Sequence, residues 1–330
     1  MTQVSSAVVT DHRHDGALRF RWEVAALPPL EPLDLRVAVQ AVAVNPVDAK
    51  LSRSRAGDRV HGFDAVGTVA AVGPDVSRFR VGDAVWYAGT TERPGAFQTV
   101  HTVDSRLAGH APRSLSPVDA AALPLTMLTA WETVRGKLRL DQSSRATLLV
   151  VGAAGGAGSA IVQLTRAIAP GVRVIGTASR DESAQWVRSL GAHDVVDARN
   201  DLVGAVRSVT RSGVDAIVSA WSQRRIDEYA RILAPFGQIV GLDRGPIDVT
   251  PLKPLSASWH WVYMFTRADP QRFGDAHGVV LDELRRLVDN GLLASTRRGA
   301  PGRLSPQGLR AAYRTMEDGT AIGKIVLSVS

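Results

Sequence analysis

Apolar positions fall into three textures along the chain. Between residues 35 and 103 they come in short runs broken by turn residues. The stretch 35–44 alternates in a β-rich pattern that stops at Asn45-Pro46, and 63–73, 81–87 and 96–103 repeat it around Gly73-Pro74 and Gly82-Asp83. This predicts a compact all-β unit. From Ser116 the pattern changes: Ser116-Pro117-Val118-Asp119 reads as an N-cap, a proline at the first helical position and an acid at capping-box spacing. Strands at 146–151, 172–178, 192–196, 215–219 and 238–242 then alternate with helices at 156–168, 181–190 and 223–233. The continuous apolar run at 146–151 marks a strand buried on both faces of a parallel sheet. Units of this length imply right-handed crossovers and a doubly wound sheet. The third texture, helical at 277–290 and 305–317, ends in an apolar strand at 325–329 that is expected to pack back on the first unit. The resulting division is 1–125, 126–268 and 269–330, an α/β chain with the alternating section inserted.

Composition narrows the classes. A chain of 330 residues, 45% hydrophobic and 22% charged, suggests about two domains. The absence of cysteine excludes disulfides, thiolate nucleophiles and Cys-ligated metals. No apolar run approaches the ~20 residues of a membrane span, and the polar start of the chain has no signal core, so a soluble cytoplasmic protein is expected. The formal charge of +7 raises the question of nucleic acid. However, 35 of the 39 basic residues are Arg, scattered with no run of five, where a nucleic-acid footprint gathers its charge on one face. The positive balance suits an anionic cofactor better.

The most informative segment is Leu148-Leu149-Val150-Val151-Gly152-Ala153-Ala154-Gly155-Gly156-Ala157-Gly158-Ser159. It follows a buried strand and opens a helix, the context in which a glycine turn lets backbone N–H groups approach a pyrophosphate. One strand on, where a NAD site places an acid on the ribose, the chain reads Thr177-Ala178-Ser179-Arg180. A hydroxyl and a guanidinium fork suit a 2′-phosphate, which points to NADPH. The competing reading has Arg180 capping a helix while Asp181 meets the ribose.

Here a resemblance enters. His61-Gly62-Phe63-Asp64-Ala65-Val66-Gly67-Thr68-Val69-Ala70-Ala71-Val72-Gly73, followed by Phe79-Arg80-Val81-Gly82-Asp83-Ala84-Val85, resembles the GroES-like domain of the medium-chain dehydrogenase/reductase superfamily. Asn45-Pro46-Val47-Asp48, Ala121-Ala122-Leu123-Pro124, Leu128-Thr129-Ala130-Trp131, the glycine loop and Ala321-Ile322-Gly323-Lys324-Ile325-Val326-Leu327 look like its zinc-free quinone oxidoreductase branch. Trp259-His260-Trp261 and Met264-Phe265-Thr266-Arg267 are similar to members labelled zinc-type alcohol dehydrogenase-like. The fold implied is a GroES-like β domain plus a doubly wound Rossmann domain. The alcohol dehydrogenases of the superfamily hold catalytic zinc with Cys, the His of Gly-His-Glu and a second Cys. The corresponding slot here reads Gly62-Phe63-Asp64, Asn45 fills a Cys position and the four-Cys lobe is missing; His61, Asp64 and His101 lack ligand spacing. The resemblance therefore implies metal-free hydride transfer from NADPH to a quinone or an α,β-unsaturated carbonyl, whose product anion is stabilised by delocalisation.

By the same resemblance, Asn45 and Asp48 lie near the nicotinamide. Thr126, Thr129, Gly152, Ala154, Gly155, Gly156, Ala157, Gly158, Ser179, Arg180, Gly241 and Lys324 hold the cofactor. Each Thr hydroxyl has the alternative of bonding its own helix, and Lys324 that of a solvated strand start. Tyr87 is the candidate proton donor, with Tyr313 and His110 behind it. Phe63, Trp86, Trp261 and Phe265 are the expected substrate walls, with Trp221 and Trp259 as further aromatics. A homodimer through the edge strands of the cofactor domain is expected. The alternatives are a biosynthetic enoyl or imine reductase and a non-catalytic NADPH- or RNA-binding relative.

Overall fold

The computed structural model describes residues 4–12, 18–54 and 59–329. The chain divides into two compact units, Met1–Leu128 with Phe265–Ser330, and Thr129–Met264.

The first unit is built on strands β1 (Val4–His12), β2 (Leu18–Ala26), β3 (Asp34–Val44), β4 (Arg59–Val60), β5 (Ala65–Val72), β6 (Ala84–Tyr87), β7 (Val100–Asp104) and β8 (Ala108–His110). A three-stranded sheet has the order β2-β1-β4. In a seven-stranded one, Gly302–Arg303 and Ile325–Ser328 precede β3, β5, β6 and β8, and β7 also pairs with β3. β3 is the axis of this unit, buried at nine of its eleven positions, because β5, β7 and the returning strand all bond to it. The strand Ile325–Ser328 runs antiparallel to β3, with Ile325 opposite Val44. That register brings Lys324 to the end of β3, where Asn45 and Pro46 open the helix α1 (Pro46–Ser54). Further along, α2 (Pro117–Ala120) starts as the sequence suggests: Ser116 Oγ accepts from the Asp119 N–H, and Asp119 Oδ2 accepts from the Ser116 hydroxyl at 2.6 Å. The helix α3 (Pro124–Trp131) carries the chain out of this unit.

The second unit is a parallel sheet of β9 (Thr147–Val151), β10 (Arg173–Thr177), β11 (Asp194–Val196), β12 (Val214–Ser219), β13 (Leu233–Gly241) and β14 (Ser258–Trp261), in the order β11-β10-β9-β12-β13-β14. Ile175, Leu149, Ile217 and Ile239 stand side by side in register on four adjacent strands, all fully buried. This ladder is the centre of the hydrophobic core and includes Val206 and Tyr229 from the flanking helices. Burying each such side chain contributes roughly 1.5–3 kcal/mol. The helices α4 (Gly156–Ile168) and α5 (Asp181–Ser189) follow β9 and β10. The next expected helix begins later than 223, at Ile226, because Arg224 adopts φ +66°. Among the described residues no helix is long and apolar enough to cross a membrane.

Candidate functional site

The order of the second sheet reverses at β9, with β10 on one side of it and β12 on the other; in open α/β sheets such a switch point is where ligands bind, beyond the carboxyl ends of the strands. The chain leaves β9 through Gly152 at φ +78°, a conformation that disfavours any side chain. The Gly152 N–H donates to Thr177 Oγ1 at 2.9 Å, tying this turn to the tip of β10. Gly155 caps α4 with no side-chain bond, and the first amide to bond back is that of Ser159, to Gly155 O at 2.8 Å. The N–H groups of Gly156, Ala157 and Gly158 thus have no acceptor within the helix. A Cβ on Gly158 would stand 2.4 Å from Gly152 O and 2.7 Å from Ala153 Cα. Only glycine lets the helix start so close to the turn. Ala154, Gly155, Gly156 and Ala157 are half-buried, and Ser179 and Arg180 are exposed at the end of β10. The Arg180 backbone is bracketed by Ser183, whose Oγ accepts from its N–H at 3.1 Å and donates to its carbonyl at 2.7 Å. Gly241 is packed against aromatic rings: a Cβ there would come within 2.6 Å of Trp259 and 3.2 Å of Trp261.

In the first unit, Asn45, Asp48, Asp64 and Lys324 form one buried polar cluster. Lys324 Nζ donates to Asn45 Oδ1 (2.5 Å), Asp64 Oδ2 (2.9 Å) and Val44 O (3.2 Å), so its three protons have three acceptors. The Asn45 amide donates to Asp64 Oδ2 at 2.7 Å, and the Leu125 N–H to Asp64 Oδ1 at 2.7 Å. Asp48 accepts from the Asn45 N–H at 2.6 Å and the Gly62 N–H at 3.2 Å. Burial pushes the Asp48 carboxyl up to about 7, against the pull of those two bonds and of Lys324. Burial also raises Asp64, opposed mainly by the Lys324 charge. Asp64 is the member that the sequence reading leaves unassigned. Lys324 is 4% exposed and its ammonium is bonded to three protein acceptors.

Two family descriptions match the chain: "Alcohol dehydrogenase GroES-like domain" over residues 31–113 and "Zinc-binding dehydrogenase" over 156–276. A zinc-type alcohol dehydrogenase-like protein of Staphylococcus aureus is 31% identical over 314 residues, covering 92% of each chain. The chain belongs to the medium-chain dehydrogenase/reductase superfamily. A crystal structure of a putative zinc-dependent alcohol dehydrogenase from Rhizobium etli is 36% identical, covers 100% of this chain and 99% of its own, and superposes with a TM-score of 0.92. A mycobacterial structure complexed with NADPH is 25% identical over 98% of this chain and 100% of its own, with a TM-score of 0.84. Within the superfamily the chain falls in the quinone oxidoreductase-like branch, and it is an oxidoreductase.

Zinc, which the family names imply, does not fit the residues present. Both oxygens of Asp64 and the oxygen of Asn45 are occupied by protein donors, one of them an ammonium. Phe63, in the His position of the family, offers no lone pair. His101 is engaged at both nitrogens, Nε2 with Pro94 O at 2.9 Å and Nδ1 with the Tyr87 hydroxyl at 3.0 Å. Because a carbonyl only accepts, Nε2 carries the proton and Nδ1 accepts from Tyr87. Burial pushes His101 down to about 4 and raises Tyr87, so this pair stays neutral.

The aromatic residues separate by burial. Tyr87 and Trp86 are 1% and 0% exposed within the first unit's sheet. The Tyr87 hydroxyl is bonded to His101. Phe63 and Phe265 are buried and pack edge to face at 5.1 Å. Trp261 is 46% exposed and Trp221 66%. Thr126 bonds its own helix, donating to Leu123 O at 3.1 Å, and the Thr129 carbonyl accepts from the Thr133 hydroxyl at 2.8 Å. Tyr313 is buried with Ser52 Oγ 3.3 Å from its hydroxyl, and half-buried His110 faces Asp83 and Asp282.

Proposed function

We propose that the chain is an NADPH-dependent reductase that delivers hydride to a quinone or an α,β-unsaturated carbonyl without a metal. The observation that carries this reading is the end of β10, where exposed Ser179 and Arg180 stand in the position that a NAD site fills with a carboxylate. The cradle supports it, since the glycine turn leaves room that a Cβ would fill. In this reading the bound dinucleotide supplies the hydride. The amides of Gly156, Ala157 and Gly158 receive its pyrophosphate at the positive end of α4. Arg180 receives the 2′-phosphate through a planar fork of donors, with the Ser179 hydroxyl beside it. Asn45 and Asp48 act by holding the β3–α1 turn in one shape, with Asp64 and Lys324 beneath them. An electron-poor acceptor carbon needs no Lewis acid, and solvent protonates the product anion. Two copies pair through β14, the edge of the parallel sheet.

The test is loss of NADPH absorbance against a panel of quinones and enones, run with NADPH and NADH on wild type and Arg180→Ala. We expect Arg180→Ala to lower kcat/KM about 10- to 100-fold with NADPH, the worth of a charged hydrogen-bond pair. With NADH it should change about twofold or less. Equal loss with both coenzymes removes the phosphate role, and binding without turnover across the panel removes the enzymatic reading.

A further inference from the structure

Among the described residues β2 is an open edge of the three-stranded sheet, bonded to β1 alone. β1 turns alternate residues towards its two neighbours. The Val8 N–H donates to Phe97 O at 2.8 Å and the Thr99 N–H to Ser6 O at 2.9 Å. Ala7 and Val9 therefore face β2, where they lie opposite Glu23 and Arg21. It follows that the N–H and C=O groups of Phe20, Trp22 and Val24 point away from β1, and no described residue bonds them. The side chains alternate as well. Trp22 and Val24 share a face with Phe20 and are 46% and 67% exposed, while Phe20 is buried against the Tyr313 ring at 5.2 Å. With Ser6, which pairs with Val24, they border a cavity of about 510 Å³ that is also lined by Arg303 and Leu304. Arg21 and Glu23 share the other face, 3.0 Å apart and 43% and 44% exposed.

An exposed edge is ordinarily guarded by charges that repel a copy of themselves. The order Arg21-Trp22-Glu23 does the opposite, because its charges are complementary about Trp22. We infer that β2 is a self-recognition edge, through which two copies of the chain pair antiparallel about a two-fold axis at Trp22. In that register Trp22 lies opposite the partner's Trp22 and Phe20 opposite the partner's Val24, each pair with its N–H and C=O groups turned to the other strand. Arg21 lies opposite the partner's Glu23, at a position without backbone bonds, where Cα atoms are about 4.5 Å apart and side chains come closest. Charge also fixes the register. The smallest slip that keeps the bonding groups facing moves one strand by two residues, and it sets Arg21 against Arg21 or Glu23 against Glu23. On the apolar face, the cavity beside Trp22 leaves room for the partner's indole. The contact is isologous and short, below about 1,200 Å² in total, which belongs to weak complexes. It forms only in concentrated solution, is separate from β14, and needs no coenzyme.

Sedimentation equilibrium of the full chain, from about 1 to about 500 μM, tests the pairing. The samples are wild type, Arg21→Glu, Glu23→Arg, an equimolar mixture of those two variants, and the double variant. Wild type should rise above its dilute mass with a Kd of about 10–100 μM. Each single variant meets its own copy with like charges and should lose at least about tenfold in this association. The mixture sets the acids of one edge against the bases of the other and should regain the wild-type rise. The double variant, with the two charges exchanged, should regain it too. A mass that stays at its dilute value throughout overturns the self-pairing and leaves the edge to a foreign extended strand. A rise that both single variants keep, or a loss that mixing does not restore, overturns it equally. A dilute mass of one chain overturns the β14 pairing alone, and the rise is then read from one chain to two.

Discussion

Lys324 and Asp64 face each other at 2.9 Å, at 3% and 0% side-chain exposure. An ion pair this deep is held by the completeness of its hydrogen bonds more than by charge alone. Lys324→Met leaves the Asp64 carboxylate and the Asn45 oxygen without their cation, and urea unfolding at neutral pH should show a loss of about 3–5 kcal/mol. Adding Asp64→Asn removes the stranded charge, so the double variant should be more stable than Lys324→Met alone. Two neighbours give this unit an unusual pH profile. The folded chain binds the Asp48 proton more tightly than the unfolded chain, so its contribution to stability is lost as pH rises from about 4 to about 7. His101 works in the opposite sense: it is neutral when folded, and stability is lost as pH falls from 6.5 towards about 4. The slopes oppose one another across the shared range, each about 1.4 kcal/mol per pH unit. Asp48→Asn should therefore expose a stability that rises with pH between about 4 and 6.5 in denaturation series. Tyr87→Phe orphans His101 Nδ1 in the interior and should cost about 1–3 kcal/mol in the same assay.

At the scale of elements, the meeting of β9 and α4 is the most constrained feature. Gly158→Ala puts a methyl against two backbone atoms that have no side-chain freedom to yield. The helix start must lift from the turn, and titration with NADPH should show at least about tenfold weaker binding, with about 1–3 kcal/mol lost in unfolding. This junction was legible in the sequence because every signal for it is local: a buried apolar run, a glycine turn, and a periodic helix whose limits, Gly156 and Ile168, match the structure. The N-terminal hairpin was not legible. Its first strand reads Val-Ser-Ser-Ala-Val-Val-Thr, and the serines break the alternation that would announce it. Asp64 was missed for a different reason. It is separated by 260 residues from the lysine that neutralises it, and only the pairing of Ile325–Ser328 with β3 joins them. A signal did exist: an acid inside the apolar run 63–72 needs a buried cation, and the chain has only four lysines.

For the whole molecule, the charge of +7 has a kinetic consequence. If the positive field steers a polyanionic coenzyme, raising salt should raise KM for NADPH while leaving kcat nearly constant. Dialysis against a chelator should leave turnover unchanged, since Asn45, Asp64 and His101 are already bonded to protein. Light scattering of the purified chain should give twice the monomer mass; disruption of the β14 edge, by Trp259→Pro for instance, should halve it.

The first unit is assembled from two stretches of chain separated by the whole of the second. A ribosome therefore releases β3, Asn45 and Asp64 long before it synthesises the ammonium that completes them. Until residue 324 emerges, the nascent β unit holds an acid with no counter-charge and an axial strand with an open edge, while the inserted sheet already has everything it needs to close. Folding during synthesis is thus ordered from the middle outward, and the earliest strands are the ones that wait, exposed to chaperones, for the final arrival.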